Sequence, residues 1–264
     1  MGAKISFLGT GDAGGVPRYG CECPACLRAQ SEPRYQRRQS SLLIESGATR
    51  VLIDAGLTDL TQRFPPGSLS AIVVTHFHPD HVQGLLHLRW GLGKKLPVFT
   101  PPDPEGCADL YKHPGMLEFR TLKVFEPLCI GELQFVPLPL IHSKMTFGYA
   151  IEDTDARRFA YLTDTVGLPE LTEEFLLNWQ AHAIALDCTH PPRTAAARNH
   201  CDLTLALTIA EALKPSKTLL THIGHTMDAW LMNNEENLPA HVSIAHDLLA
   251  IEDSLMSGAT GGSG

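Results

Sequence analysis

The sequence predicts an α/β fold of the αββα sandwich type, in which two mixed sheets pack together and helices flank them on the outside. Strand-like apolar runs and helical stretches interleave along the chain, and several strand-like runs follow one another directly. The chain has 264 residues, of which 44% are hydrophobic, and this is enough to bury the core of one such domain. We therefore expect a single domain over residues 1–255, with halves at 1–140 and 141–250.

The first predicted element is a strand at residues 4–8, which a glycine-rich segment follows. Residues 9–14 match the dinucleotide-binding pattern Gly-x-Gly-x-x-Gly. That pattern requires a helix immediately after the glycines, whereas Gly15, Pro17 and Gly20 come next in this chain. We therefore interpret the segment as a tight loop beneath a functional site.

The later elements follow from apolar runs and helical periodicity. Residues 41–45 and 50–54 flank a turn at Gly47 and predict a hairpin. Further strands are predicted at 71–75, 96–99, 132–138, 146–151, 158–163, 183–187 and 217–221, and helices at 81–90, 169–178 and 203–213. Residues 256–264 have the glycine-rich composition of a flexible tail.

The most informative motif follows the strand-like run 71–74. Residues 75–81 read Thr-His-Phe-His-Pro-Asp-His, so that four strong metal ligands fall within six positions. Alternation along the turn lets His76 and His78 face one ion while Asp80 and His81 face a second ion nearby. The motif therefore predicts half of the ligands of a dinuclear metal site.

Three polar residues that follow later strand-like runs are candidates for the remaining ligands. His142, Asp164 and His222 each come after such a run. A structural role, in which each side chain caps a strand or bonds to a backbone carbonyl, is the alternative. Five histidines and two aspartates suit manganese, iron, nickel or zinc, because imidazole and carboxylate are intermediate to hard ligands. Two such ions about 3.5–4 Å apart would activate a water molecule at neutral pH.

Three of the seven cysteines crowd into one segment, as Cys21, Cys23 and Cys26. Their thiolates can take three corners of a zinc tetrahedron. His225 is a candidate fourth ligand, because it lies three residues beyond His222 and one loop can then serve both sites. Buried free cysteines are the alternative. The odd number of cysteines fits a reducing compartment.

Charge and hydropathy exclude several classes of function. The net charge of −8 gives no general attraction to nucleic acid, although a small anionic substrate fits if metal ions supply the positive field. No apolar stretch approaches the roughly 20 residues that span a bilayer. We expect a cytoplasmic protein, and a homodimer would be unsurprising.

Seven segments together resemble one family of the metallo-β-lactamase superfamily, whose members share the αββα fold. They are residues 20–26, 75–85, 88–91, 112–115, 138–144, 187–193 and 198–203. The family is PhnP, the cyclic phosphodiesterases of the carbon–phosphorus lyase pathway, and the resemblance covers nearly the whole chain. It implies hydrolysis of 5-phosphoribosyl 1,2-cyclic phosphate to ribose 1,5-bisphosphate during phosphonate catabolism, and a side activity on 2′,3′-cyclic nucleotides.

The resemblance also assigns roles to individual residues. It implies two Mn²⁺ ions, in a ligand set that by its chemistry also accepts Zn²⁺, Ni²⁺ or Fe²⁺, and one structural Zn²⁺. One active-site ion would bind His76, His78 and His142, the other Asp80, His81 and His222, and Asp164 would bridge them; Cys21, Cys23, Cys26 and His225 would hold the zinc. His200 would be the catalytic histidine and Asp80 a further catalytic residue.

Three basic residues lie beside these motifs and are candidates for holding the substrate's second phosphate. Lys144, Arg193 and Arg198 could do so, the arginines through a fork of donors, and solvated surface charge is the alternative for each. A capping or core role is the alternative for His200.

Three other functions compete with this prediction. An RNA 3′-end processing nuclease of the same superfamily shares the ligands, but its basic substrate-gripping arm has no counterpart in the sequence. Thioester or lactam hydrolases use the same metal chemistry but do not explain the cysteine cluster or the segment around His200. A scaffold that has lost its ions would not need all seven ligands.

Overall fold

The computed structural model describes residues 2–195 and 197–251. It contains two seven-stranded sheets that pack face to face, and this confirms the predicted sandwich. The strands are β1 Lys4–Gly9, β2 Ser41–Ser46, β3 Thr49–Ile53, β4 Ala71–Val73, β5 Leu96–Thr100, β6 Leu117–Thr121, β7 Leu128–Ile130, β8 Leu133–Pro139, β9 Phe147–Glu152, β10 Arg158–Leu162, β11 Ala183–Asp187, β12 Lys217–Thr221, β13 Val242–Ile244 and β14 Ala250–Ile251. The helices are α1 Pro24–Ser31, α2 Leu60–Arg63, α3 Pro79–Val82, α4 Leu85–Leu88, α5 Ala108–Lys112, α6 Glu170–Trp179, α7 Leu203–Leu213 and α8 His225–Leu231.

Each sheet contains a block of four parallel strands. In the first sheet the strand order is β14-β1-β2-β3-β4-β5-β6, and β3 to β6 run parallel. In the second the order is β13-β12-β11-β10-β9-β8-β7, and β10 to β13 run parallel. Loops at the carboxyl ends of parallel strands are the usual place for a functional site.

The main core lies between the two sheets. Its largest fully buried side chains include Phe7, Ile44, Phe135, Tyr149 and Phe159. Two further apolar clusters lie on the outer faces, one beneath α6 and α7 and the other beneath α2 and α4. Burial of one such large apolar side chain contributes about 1.5–3 kcal/mol, so these three layers supply the main apolar stabilisation of the sandwich.

Two hydrogen bonds join the sheets directly beside the histidine motif. The backbone N–H of Phe147 donates to the carbonyl of Thr75 over 2.9 Å. The buried hydroxyl of Tyr149 donates to the carbonyl of Val74 over 2.6 Å. The second sheet therefore fixes the segment that leads into His76.

Most predicted elements are confirmed, but the helix expected at 81–90 is wrong. The chain forms two short helices there, α3 and α4, which are separated at Gly84. The amide of Gly84 donates to the carbonyl of Ala55 over 2.8 Å, outside the helical ladder. A Cβ at this position would lie 2.3 Å from the carbonyl oxygen of Leu57. Close backbone packing therefore ends the first helix at this point.

The predicted boundary between the halves at residue 140 also needs correction. β7 and β8 belong to the second sheet, so that the chain passes between the sheets after β6 ends at Thr121. β8 joins the second sheet because it pairs antiparallel with β9 from Gln134 to Pro139. β14 returns to the first sheet beside β1.

The glycine-rich segment forms a loop, as expected. The next helix after Gly14 begins only at Pro24, and Gly11 forms bridges to Gln39 and Ile223. The predicted tail at 256–264 lies outside the described residues. No helix in the described part of the chain combines the length and apolar character needed to cross a membrane.

Candidate metal centre

The histidine motif leaves the carboxyl end of β4. Asp80 and His81 lie in the first turn of α3, which begins at Pro79, and the side chains of His76 and His81 are fully buried. From the second sheet, Asp164 follows β10 and His222 follows β12. Both residues have left-handed backbone conformations, with φ of 62° and 58°. Non-glycine residues in this region are uncommon and cluster at functional sites.

A first group of four ligand atoms converges around His78. Its Nδ1 lies 2.9 Å from Nε2 of His76 and 3.1 Å from Nε2 of His142. Oδ2 of Asp164 is 3.6 Å from both of those Nε2 atoms. One ion with metal–ligand distances of about 2.0–2.2 Å can reach donors that are this close together.

A second group lies on the other side of Asp164. Oδ1 of Asp164 is 3.3 Å from Nε2 of His81 and 3.3 Å from Nε2 of His222. Oδ2 of Asp80 is 3.4 Å and 3.6 Å from the same two nitrogens. The two oxygens of Asp164 are therefore divided between the groups, as a bridging carboxylate requires.

Neighbouring groups fix the orientation of the ligand rings. The Nδ1–H of His81 donates to Asp54 over 2.7 Å, and that of His142 donates to the carbonyl of Asn199 over 2.9 Å. Nδ1 of His222 lies 2.9 Å from the hydroxyl of Thr189, which itself donates to Asp187. Each of these rings therefore presents its Nε2 to the centre, as in metal sites with oriented histidines.

Two of these nitrogens have no hydrogen-bond partner. Nε2 of His81 and Nε2 of His222 are buried and unpaired among the described residues. A buried polar atom without a partner costs about 1–3 kcal/mol. Metal coordination would satisfy both atoms, and the donor set of imidazole and carboxylate suits a divalent metal. The residues present therefore fit the metal ions that the motif predicts.

Without metal, the histidines of the two ligand groups differ in protonation. Burial lowers the pKa of His76, His78 and His142, so that these three rings are neutral and ready to bind metal. Burial also opposes protonation of His222, but the negative charges of the neighbouring Asp164 and Asp80 carboxylates raise its pKa to about 9. A metal ion must therefore displace a proton from the second group.

His200 lies beside the same centre. Its Nδ1 donates to Asp187 over 2.8 Å and is 4.0 Å from Oδ2 of Asp164. Its ring stacks on that of His222 with centroids 4.8 Å apart. With 21% of its side chain exposed, His200 can meet a molecule that enters from solvent. The structure thus brings together His200 and all seven candidate ligands.

Sequence reasoning missed two supporting aspartates. Asp54 is fully buried, binds His81, and accepts the backbone N–H of Thr75 over 2.8 Å. Asp187 orients His200 and accepts the N–H of Thr165 over 3.0 Å. Both aspartates sit at a strand end, Asp54 just after β3 and Asp187 as the last residue of β11. A polar residue at a strand end is the same signal that identified Asp164, but it does not show which side chain each aspartate contacts.

The three basic candidates differ in position. Lys144 is half-buried on the loop after His142, with Nζ 3.9 Å from Oδ2 of Asp103. Arg193 and Arg198 are exposed, and the described contacts bring neither guanidinium into the centre. Lys144 is therefore the basic candidate with a described ion pair, and it lies two residues after the candidate ligand His142.

The cysteine cluster forms a separate site. Cys21, Cys23, Cys26 and His225 place one ligand atom each within 4.8 Å of one another. Nδ1 of His225 is 3.4 Å from Sγ of Cys21 and 3.5 Å from Sγ of Cys23. Three sulfurs and one imidazole are a donor set that suits a closed zinc site.

The cysteine cluster joins the amino-terminal ends of two helices. Cys23 precedes α1, Cys26 lies within it, and His225 begins α8. Burial raises the pKa of the Cys26 thiol to about 12, so that this thiol is protonated unless a metal binds. Buried Asp228 of α8 adds ion pairs to Arg28 and Arg37, at 3.1 Å and 2.9 Å.

Comparison with known proteins gives several full-length or partial similarities. The chain is 27% identical over 265 residues to an octanoyltransferase of Porphyromonas gingivalis, which covers 92% of this chain and 50% of that protein. It is 29% identical over 128 residues to ribonuclease Z of Methanopyrus kandleri, which covers 46% of each protein. The chain thus spans half or less of the length of these curated relatives.

Among solved structures, a diphosphatase of the PhnP family superimposes with a TM-score of 0.81 and 29% identity, over 96% of this chain and 98% of that one. Zinc-bound PqqB from Methylobacterium extorquens superimposes with a TM-score of 0.76 and 20% identity, over 94% and 99%. The likeness to PqqB shows a shared fold.

The family described as "Beta-lactamase superfamily domain" matches residues 49–223. The chain therefore belongs to the metallo-β-lactamase superfamily and has the fold of its metal-dependent hydrolases.

Proposed function

We propose that the protein is a dinuclear metal-dependent phosphodiesterase that opens 5-phosphoribosyl 1,2-cyclic phosphate to ribose 1,5-bisphosphate. The proposal rests on one observation. His200 is hydrogen-bonded to Asp187 and lies beside Asp164, whose two carboxylate oxygens face the two ligand groups. The likeness to a diphosphatase of the PhnP family over 96% of the chain supports it. The proposal includes a place in phosphonate catabolism, a side activity on 2′,3′-cyclic nucleotides and two Mn²⁺ ions.

The residues of the chain have distinct roles in this reaction. When bound, a pair of divalent ions supplies a water nucleophile at neutral pH and neutralises charge on the phosphate. His76, His78 and His142 would hold one ion, Asp80, His81 and His222 the other, and Asp164 both. Asp187 retains the proton on Nδ1 of His200, which leaves Nε2 as the atom that passes a proton to the departing sugar oxygen.

A proton donor at His200 helps most when the substrate has a poor leaving group. A ribose oxygen leaves as an alkoxide unless it is protonated, whereas a phosphate or a nitrophenolate leaves without help. An acid at His200 therefore suits a sugar ester. In the proposed reaction the bond to O2 breaks, so that the phosphate stays on C1. Lys144 would contact the 5-phosphate, and Arg193 and Arg198 are candidates for the same contact.

Two other phosphoryl substrates have specific support. The PhnP-family neighbour is a diphosphatase, which favours cleavage of a phosphoanhydride. The match to ribonuclease Z, at 29% identity, favours RNA 3′-end processing. Both reactions use the same ligand set, so the leaving group and the size of the substrate distinguish them.

A panel of substrates followed by phosphorus NMR tests the proposal. The panel contains 5-phosphoribosyl 1,2-cyclic phosphate, 2′,3′-cyclic AMP, a dinucleoside diphosphate, pre-tRNA and a thioester. We expect the ribosyl cyclic phosphate to be opened fastest, with the phosphate retained on C1. Phosphate on C2, or faster cleavage of the anhydride or the pre-tRNA, would overturn the assignment while leaving a metal-dependent hydrolase. Cleavage of the thioester alone would overturn the phosphodiesterase class as well.

A further inference from the structure

A cavity of about 500 Å³ lies at the edge of the first sheet opposite the metal centre. Leu69 and Ser70, which precede β4, and Lys95, which precedes β5, are among its lining residues. The metal ligands leave the carboxyl end of β4, so the length of the strand separates the two sites. Cavities of about 300–1,000 Å³ are the usual size for binding small molecules.

The floor of the cavity is apolar and well packed. Phe64, Leu69, Leu88 and Leu96 contribute to it, and each is at most 9% exposed. All four belong to the apolar cluster beneath α2 and α4, which gives the floor a rigid support. Leu92 stands at the rim with 87% of its surface exposed. An apolar ligand would therefore find a preformed surface with an unburied leucine at its edge.

The charged side chains that line the cavity are positive. Lys94 and Lys95 line the cavity, and no aspartate or glutamate lines it in the part of the chain that the structure describes. The whole chain has a net charge of −8, so an acid-free lining with two lysines departs from the rest of the surface. The amine of Lys95 already donates to the carbonyl of Gly115, and Lys94 is exposed. Lys94 is thus the cation best placed for the head of an anionic ligand.

The wall also contains an unsatisfied hydroxyl. Oγ of Ser68 is enclosed without a hydrogen-bond partner among the described residues. Such groups are rare in folded proteins and usually indicate a missing water, ion or ligand.

We propose that this cavity binds a medium-chain carboxylate, with the alkyl chain on the leucine-rich floor and the carboxylate beside Lys94. The apolar floor selects the chain, Lys94 selects the negative head, and Lys95 adds positive charge to the lining. The site is independent of the metal centre and of the substrate proposed for it. It is therefore a second ligand site in the same domain.

Methionine methyl NMR can locate the ligand, with decanoate as the probe. Met116 lines the cavity, whereas Met145 lies three residues after His142 on the loop of the metal centre. Titration of the metal-loaded protein with decanoate should shift the Met116 methyl resonance in a saturable way and leave that of Met145 in place. Decylamine, which has the same chain and the opposite charge, should shift it only at clearly higher concentration. A shift at Met145 alone would mean that the carboxylate binds the metals, and would overturn the proposal.

Three variants make the test specific. Ala48 is an exposed lining residue, so Ala48→Trp should fill the mouth without unfolding the protein and abolish the shift at Met116. Lys94→Gln should weaken decanoate binding about two- to fivefold, the range of an exposed ion pair. Lys123→Gln, at a lysine that is 79% exposed and outside the cavity, is the matched control and should bind normally. Turnover should be unchanged in all three.

Several outcomes would contradict the proposal. Equal binding of decanoate and decylamine would remove the role of the lysines. Decanoate binding that Ala48→Trp leaves unchanged would remove the cavity. Concentration-dependent dimerisation that Ala48→Trp abolishes, with no effect of decanoate on Met116, would assign the surface to a second copy of the chain.

Discussion

Asp164 is the residue on which both ligand groups depend, because each of its oxygens faces a different group. We predict that Asp164→Ala loses metal and abolishes turnover while the protein stays folded, since Asp164 lies outside the three apolar clusters. Metal analysis, activity and circular dichroism would test this. Asp153→Ala is a matched control, because Asp153 is also a buried aspartate but binds backbone N–H groups far from the centre. It should lose stability and keep its metal, whereas two retained ions in Asp164→Ala would contradict the bridging role.

His200 should matter only when the leaving group needs a proton. We predict that His200→Ala lowers the rate about 10²–10⁴-fold for sugar leaving groups and much less for p-nitrophenolate. Steady-state kinetics on both ester types would measure the difference. His190→Ala is the control. His190 is a neighbouring histidine, with its ring 6.4 Å from that of His200, but it is not a candidate ligand or proton donor. Equal losses on both esters would assign His200 to phosphate binding instead.

The sequence could predict these ligands but not the groups that orient them. His76, His78, Asp80 and His81 are recognisable because they crowd into six positions. In the sequence, Asp187 is one aspartate at a strand end among others, because the pairing of β11 with β10 is not known there. The parallel pairing of Leu162 with Leu186 then brings the ends of β10 and β11 together. Such a partner depends on strand register, which local sequence does not specify.

The cysteine cluster acts between helices, because its ligands belong to α1 and α8 or lie beside them. We predict that Cys23→Ser releases one zinc and lowers the free energy of unfolding by at least about 2 kcal/mol, or roughly 4–8 °C in Tm. Metal analysis and thermal denaturation would test this. Cys129→Ser, at an exposed cysteine, is the control and should change neither quantity. Wild-type protein that holds no zinc when manganese fills the metal centre would contradict the assignment.

Helical periodicity predicted α6 and α7 well but failed in the segment 81–90. Asp202 caps α7 by accepting the N–H of Leu205 over 2.9 Å, which is a local signal. Gly84 interrupts the other segment because the backbone at Ala55 and Leu57 packs against it. That contact joins residues almost thirty positions apart, so no local pattern could reveal it.

The attachment of one sheet to the other is a property of the whole sandwich. Tyr149 of the second sheet donates to Val74 of the first, and its hydroxyl is buried. We predict that Tyr149→Phe lowers the free energy of unfolding by about 1–2 kcal/mol, because the carbonyl of Val74 is left unsatisfied. Chemical denaturation would measure it. Tyr19→Phe, at a fully exposed tyrosine, should have no effect; equal stability of the two variants would contradict the role.

The division of the strands between the sheets could be predicted only in part. Most strands were found from their apolar runs, and their mixture with helices indicated the sandwich. The crossing after β6 was misplaced because β7 and β8 have the same apolar character as the strands of the first sheet. Both sheets contribute to one shared core, so burial alone does not reveal to which sheet a strand belongs.

The turn from His222 to His225 couples the two candidate metal sites. Its first residue belongs to the dinuclear centre and its last to the cysteine cluster, with Ile223 and Gly224 between them. Closure of the cysteine cluster adds a further restraint at the first residue of α8, so we expect bound zinc to steady the turn that presents His222 and to favour assembly of the catalytic pair. Nascent protein made under zinc starvation should therefore take up less manganese, and added zinc should restore uptake. Supply of one metal would then affect acquisition of the other.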